Sequence, residues 1–316
     1  MRKFYIVDAF TETAFGGNTA GVVIIGKDES FPADEIMIKT AAELKYSETA
    51  FVKKLNEKEF KIRYFTPAAE VELCGHATIG TFVALIDAGI CEKGASYLAH
   101  TLSGDIGVDI SENGNITMDM ARPVLIDTMY EKEAIDELYR IMGINYEPCY
   151  VCGPDDGDSV LCDAKSEGAR ELVPAMVSTG LPDIMMPVRD RKALEAIDPD
   201  MKALSELSAR YKVTGVHAFA VENKEVKAYA RNFAPLYDIP EEAATGTSTG
   251  AMTYYLFLQG LIKHGEENVY IQGEKMGRPS KIVSRLYSIA GAREGEGVSI
   301  KVGGSGYILA KGEFDI

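Results

Sequence analysis

Two stretches of the chain are apolar on nearly every side of a helical wheel: "TFVALIDA" at 81–88 and "AMTYYLFL" at 251–258. A helix with no solvated stripe belongs in the middle of a domain, surrounded by other elements. Two further segments, "FPADEIMIKTAAELKY" and "DPDMKALSELSARYK", read as surface helices opened by Pro32 and Pro199, with acids in the first turn. Short strand-like runs fill much of the remainder, and "SENGN" and "VENKEV" give hairpin signals between them. The pattern predicts an α+β protein in which an antiparallel sheet or barrel curls around each central apolar helix.

The same pattern occurs twice. "IRYFTP" at 62–67 and "ARNFAP" at 230–235 share Arg, any residue, Phe, any residue, Pro. Each is followed by an acidic loop and then by a glycine that opens one of the apolar helices, Gly75 in the first copy and Gly246 in the second. Each run ends at a glycine fourteen residues on, Gly89 and Gly260. Each surface helix is followed by a strand containing Ala-Phe, at 50–51 and at 218–219. Three elements in one order predict two pseudo-symmetric halves, 1–120 and 121–316, with the last strand free to return to the first half. The boundary is placed near Pro123, after the "SENGNITM" hairpin.

At 316 residues the chain exceeds what one core usually serves, which agrees with two domains. Composition narrows the partners. With 33 Lys plus Arg against 48 Asp plus Glu, the net charge is −15, which repels nucleic acid and acidic membrane surfaces. No window reaches the apolar length of a membrane span, and the start reads as a first strand rather than a signal peptide, so a cytoplasmic protein is expected. An anionic substrate must then be captured by a local device. Five cysteines, at 74, 91, 149, 152 and 162, form no regular framework, and free thiols are expected. "CYVC" at 149–152 with Cys162 falls one ligand short of a tetrahedral zinc site.

A helix N-terminus offers unpaired backbone N–H groups and partial positive charge, and glycine lets a ligand approach them. Gly75 with His76, and Gly246 with Thr247 and Ser248, therefore form a candidate pair of carboxylate cradles, provided that both ends point into one cleft. His76 reads equally well as a first-turn histidine bonded to backbone, and Thr247, Ser248 or Thr249 as an N-cap. Glu48 in "KYSETAFV" is a candidate acid or base, or a solvated strand-edge residue. Glu242 stands before the second helix, with Glu241 as its confounder.

"VDAFTETAFGGNTAGVV", "SETAFV", "FTPAAEVELCGHATIGT", "ARNFAP", "EEAATGTSTGA", "GEKMGRP" and "KVGGSGYILAKGEF" together resemble the phenazine-biosynthesis-like, PhzF-type isomerase family of the diaminopimelate-epimerase fold. The resemblance implies a cofactor-free isomerase, without a metal. In it one glutamate moves a proton between carbons of a small carboxylic acid bound between two domains, usually in a homodimer. By position it assigns the proton-moving glutamate to Glu48, the active-site histidine to His76, the usual aspartate to Glu242 and the usual serine to Thr247. Asn18 matches a position beside the substrate. Gly75, Thr245, Gly246 and Ser248 complete the expected substrate-binding set. Burial is expected to raise the Glu48 pKa. Relatives with two catalytic cysteines match Cys74 but have a thiol where Thr245 stands, and a hydroxyl is too weak to replace it.

Three rivals remain. One is a small-acid binding protein without turnover, and another is a redox or metal protein built on the 149, 152 and 162 cysteines. A nucleotide enzyme is disfavoured, because "TGTSTG" and "GGSG" lack dinucleotide-fingerprint spacing.

Overall fold

The computed structural model describes residues 1–152, 161–222, 225–288 and 297–315. The chain divides into two compact units, Met1–Asp119 with Gly303–Ile316, and Met120–Val302.

The first unit begins with β1 (Arg2–Ala9), β2 (Asn18–Ile25), α1 (Asp34–Leu44), β3 (Thr49–Lys54), β4 (Glu59–Phe65) and β5 (Glu70–Val71). The central helix α2 (Gly75–Asp87) and β6 (Ser96–Thr101), β7 (Gly104–Ile110) and β8 (Ile116–Asp119) follow. The second unit contains β9 (Val124–Thr128), α3 (Lys132–Ile141), β10 (Cys149–Val151), β11 (Arg170–Leu172), β12 (Ala175–Ser178), β13 (Pro182–Val188), α4 (Arg191–Ala196) and α5 (Met201–Tyr211). It continues through β14 (Gly215–Val221), β15 (Ala228–Ala234), β16 (Ile239–Glu242), the central helix α6 (Gly246–Leu258), β17 (Glu267–Gln272), β18 (Ser280–Ser288) and β19 (Val298–Gly304). The final strand, β20 (Gly306–Phe314), returns to the first unit and pairs antiparallel with β1.

The repeat is a repeat of topology. In the first unit β2 and β3 run parallel, as do β4 and β6; the remaining pairs named here, β1–β2, β3–β4, β6–β7 and β7–β8, are antiparallel. Parallel neighbours need a crossover, and α1 and α2 supply the two. In the second unit β13–β14 and β15–β17 are parallel, and β12–β13, β14–β15 and β17–β18 antiparallel. Their crossovers pass through α4 and α5, and through α6. The "SENGN" hairpin joins β7 to β8, with Ile110 opposite Ile116. "VENKEV" joins the antiparallel pair β14–β15, and its residues 223 and 224 lie outside the described residues.

Both central helices are buried nearly all round, as their apolar wheels require. α2 packs on β1, β2, β3, β8 and β20, and α6 on β12, β13 and β18. Phe82 of α2 lies 5.8 Å from the Phe60 ring and 5.9 Å from Tyr97, while Tyr255 of α6 lies 5.6 Å from Phe219. Each fully buried ring of this kind contributes about 2–3 kcal/mol by leaving water. A second layer in the first unit packs Met37 and Ala41 of α1 against Val23, Phe51 and Phe65. Its counterpart in the second unit joins Leu204 and Leu207 of α5 to Ile184, Met186 and Val216. The surface helices start two residues later than their prolines suggest. α5 is opened by Asp200, whose carboxylate accepts from the N–H groups of Lys202 and Ala203 at 3.1 and 3.0 Å. The first-turn acid does the capping here, because proline offers no acceptor side chain.

Two cysteines depart from expectation. Cys152 and Cys162 are joined in a disulfide, whereas Cys74, Cys91 and Cys149 are free and buried. Sequence spacing could not find this bond, since the ten-residue separation is closed by the return of Cys162, whose N–H donates to Tyr150 O at 3.0 Å. Among the described residues no helix is long and apolar enough to cross a membrane.

Candidate active site

In the first unit the turn from β5 into α2 is anchored from behind. Arg63 on β4 holds Glu70 on β5 through two parallel bonds, Nε to Oε1 at 2.7 Å and Nη2 to Oε2 at 2.6 Å. This bidentate geometry fixes both groups. The chain then reaches Cys74, which occupies the N-cap position of α2 in an extended conformation and makes no side-chain capping bond. The helix opens at Gly75, and His76 sits in the first turn, 4% exposed.

Four side chains surround the His76 ring. Glu48 Oε2 lies 3.2 Å from Nε2, and Ser47 Oγ lies 3.4 Å from the same nitrogen. On the other edge Asn18 Nδ2 approaches Nδ1 to 3.3 Å and Cys74 Sγ to 3.4 Å. Glu48 Oε2 is buried and lacks an aligned hydrogen-bond partner, so its contact with His76 is an ion pair rather than a linear bond. Asn18 begins β2, Ser47 and Glu48 precede β3, and β2 and β3 are parallel neighbours. Sheet register therefore delivers three polar groups to one helix start.

The electrostatics differ from the sequence expectation. Burial pushes the Glu48 carboxyl up, but His76, Ser47 and Cys74 together outweigh it and hold the group below its ordinary range. The expected upward shift of Glu48 is thus corrected by its neighbours. Burial likewise works against a charged His76, yet Cys74 and Glu48 carry it well above the usual imidazole value. Burial, then the Glu48 charge, pushes the Cys74 thiol up to about 11, so at neutral pH the sulfur is uncharged. The ring's charge is balanced by Glu48. A doubly protonated ring makes Nδ1 a donor, to which only the oxygen of the Asn18 amide could serve as acceptor.

The second unit repeats the anchor with different chemistry at the helix start. Arg231 grips Glu241 through Nε and Nη2, both at 2.8 Å, and its Nη1 also donates to the carbonyls of Leu194 and Ile197 at 3.2 and 2.8 Å. Glu241 is thereby committed. Glu242 instead accepts from Thr245 Oγ1 at 2.5 Å. Gln272 ties the turn together, donating to Glu242 O at 2.7 Å and Thr245 Oγ1 at 3.1 Å while accepting from Thr245 N–H at 3.3 Å. Thr245 is the N-cap residue of α6, but it makes no capping bond because its hydroxyl faces Glu242. Gly246 is buried; Thr247 is 8% exposed, and its carbonyl accepts from Thr179 Oγ1 at 2.8 Å. The Ser248 hydroxyl is committed to buried Asp183 Oδ2 at 2.5 Å, which leaves that residue its backbone for other contacts.

Glu48, His76, Asn18 and Gly75 thus converge on the start of α2, and Glu242, Thr245, Gly246 and Thr247 on the start of α6. Sequence reasoning missed Ser47, Asp183 and Gln272, and left the role of Cys74 open. Asp183 had a signal, being the one polar residue in the otherwise apolar β13, whereas Gln272 shares β17 with Glu267 and Asn268 and did not stand out.

The profile of the phenazine biosynthesis-like protein family matches residues 7–312. The chain belongs to that family. A family relative described as an uncharacterized isomerase of Deinococcus radiodurans is 30% identical over 318 residues, covering 99% of this chain and 94% of the relative. The trans-2,3-dihydro-3-hydroxyanthranilate isomerase of Pseudomonas chlororaphis is 29% identical over 320 residues, covering 99% of both chains. Among solved structures, the PhzF-family phenazine biosynthesis protein of Bacillus anthracis superposes with a TM-score of 0.80 at 25% identity, covering 100% of this chain and 99% of that one. A hydroxyproline epimerase from Agrobacterium vitis shares the fold at a TM-score of 0.59 and 13% identity, over 98% of this chain and 91% of its own. The fold is the α+β, diaminopimelate-epimerase-like one, and the relatives' names support an isomerase.

Proposed function

We propose that this phenazine-biosynthesis-like protein is an isomerase that moves a proton between carbon atoms of a small carboxylic acid, with Glu48 as the base and then the acid. The observation that carries the reading is the Glu48–His76 pair, 3.2 Å apart at the uncapped start of α2. The N–H groups of Gly75 and His76 bind the substrate carboxylate, aided by the partial positive charge of the helix start. Glu48, kept ionised by His76, accepts a proton from a carbon made acidic by conjugation or by that binding, and delivers it to another carbon on the same face. His76 holds the carboxylate in place and offsets the charge that develops on the substrate. Asn18 orients the ring. The reading assigns Glu242, Thr245, Gly246, Thr247 and the Ser248 backbone to substrate binding, and it includes a cytoplasmic homodimer.

Incubation with a panel of small amino and cyclic carboxylic acids in deuterated water, read by mass, tests this. One or more acids gain deuterium with the native protein, and Glu48→Gln slows that gain by about 10²–10⁴-fold while binding persists. Exchange retained in the variant rejects Glu48 as the base. Binding without exchange across the panel points to a binding protein on the same fold.

A further inference from the structure

In each unit one turn leads a polar side chain to the start of the central helix and displays an exposed apolar residue just before it. In the first unit the turn between β1 and β2 closes at the pair Ala9–Asn18, and the Asn18 amide reaches His76 of α2. Three residues before Asn18, Phe15 is 68% exposed. In the second unit the equivalent turn joins β12 to β13 and leads into Asp183, whose carboxylate accepts from Ser248 of α6. Two residues before Asp183, Leu181 is 47% exposed. Thr179 ties that turn to the helix start through the carbonyl of Thr247. Phe15 is also held where a bulky residue rarely goes. Its φ is +66°, in the left-handed region, although Gly16 and Gly17 stand next in the chain. Such a conformation persists only when its surroundings impose it. Buried Asp8 does so, its Oδ2 accepting from the Phe15 N–H at 2.9 Å and its Oδ1 from the Thr19 hydroxyl at 2.5 Å. Folding alone does not account for an aromatic residue here: the ring is too exposed to stabilise the core, and the backbone conformation favours glycine. Three residues of chain span at most about 11 Å, which keeps Phe15 on the rim of the group around His76.

We propose that Phe15 is a specificity-determining residue of the α2 site, its ring covering the apolar carbon body of a substrate whose carboxylate lies on the Gly75 and His76 N–H groups. The favoured substrates are then acids with a flat apolar body, such as an unsaturated ring, over compact polar acids. The Asp8 bonds fix the turn before substrate arrives, so little ordering is lost when the ring makes contact. The strain at Phe15 is the cost of presenting that ring. This assignment rests on the carboxylate site proposed above, but not on Glu48 being the base.

The test is calorimetric binding of benzoate and glycolate to the full-length protein, with thermal melts and deuterium uptake measured beside it. The native protein is expected to bind benzoate more tightly than glycolate. Phe15→Ala and Phe15→Gly each weaken benzoate about tenfold, as expected when about half of a ring's burial is lost, and leave glycolate unchanged. Phe15→Gly melts at the native temperature or above it, because glycine relieves the left-handed strain. Leu102→Ala removes another exposed apolar side chain, between β6 and β7, and changes neither acid. For an acid that exchanges and carries a ring, the Phe15 variants raise KM more than they lower kcat. No preference for benzoate in the native protein, equal loss of both acids in the variants, or a lower melting temperature in Phe15→Gly overturns the assignment. Selective loss of benzoate without exchange of any acid by the native protein keeps the assignment and rejects the proton-transfer reading. Exchange that depends on Glu48, with benzoate binding indifferent to Phe15, does the reverse.

Discussion

Asp183→Asn is the perturbation whose size the structure fixes most directly. Asp183 is 1% exposed, holds the Ser248 hydroxyl in the first turn of α6, and has an Oδ1 with no hydrogen-bond partner. Burial is the main cause that pushes its carboxyl from 3.8 to about 6, against the opposing bonds from Ser248 and the Gly215 N–H. A tenfold change in proton affinity corresponds to about 1.4 kcal/mol, so ionising this group in the folded protein costs about 3 kcal/mol more than in the unfolded chain. The folded value lies above the unfolded one, so the stability is fully present below 3.8 and is lost as pH rises through about 6. Asparagine keeps the shape and an acceptor for Ser248 but does not titrate. The assay is denaturant unfolding of both proteins from about pH 4 to about pH 7, taking the difference so that every other titrating group cancels. Relative to the variant, the native protein should lose about 3 kcal/mol across that window and nothing further above it. A difference that stays flat would show that Asp183 is ionised and solvated throughout, and would refute the burial argument.

For the Glu48–His76 pair, the carboxyl is lowered from 4.5 and the ring raised from 6.5, so the acid stabilises above 4.5 and the base below 6.5. Their joint contribution is therefore greatest from 4.5 to 6.5, and His76→Asn should lose most stability there; a loss independent of pH would contradict the pairing. Arg231→Ala strips Glu241 and two carbonyls of a buried partner and should cost about 3–5 kcal/mol in unfolding free energy. In Gly215→Ala the new Cβ would meet Phe233 O at 1.9 Å and Ala234 Cα at 2.9 Å, both backbone atoms, so a loss of about 1–3 kcal/mol or more is expected. Gly80→Ala meets nothing closer than Val7 Cβ at 3.4 Å and should be tolerated, and thermal melts separate the two cases.

Arg63 and Arg231 show why the architecture was legible. Each arginine clamps the acid that precedes its central helix, Glu70 or Glu241, and each acid stands four residues before an N-cap, Cys74 or Thr245. Such a turn needs fixed residue types at fixed spacing, so it leaves a visible pattern in one dimension. Geometry also resolves what spacing left open, because the arginine occupies Glu241 and frees Glu242 for Thr245. The sites themselves were less legible. Asn18 meets His76 across 58 positions and Ser248 meets Asp183 across 65, and only sheet register brings such residues together. The direction of the Glu48 shift was unreadable for the same reason, since it depends on three neighbours rather than on burial alone.

β20, the last strand of the chain, pairs with β1, the first, and Phe4 stacks on Phe314 with ring centroids 4.2 Å apart. During synthesis the amino-terminal unit therefore waits for its closing seam while the whole of Met120–Val302 emerges. The intervening unit can fold around its own helix first, while β1 carries an open edge that invites wrong partners. The carboxyl-terminal strand is the clasp on the proposed catalytic half, and clipping it off should undo that half before it disturbs the other.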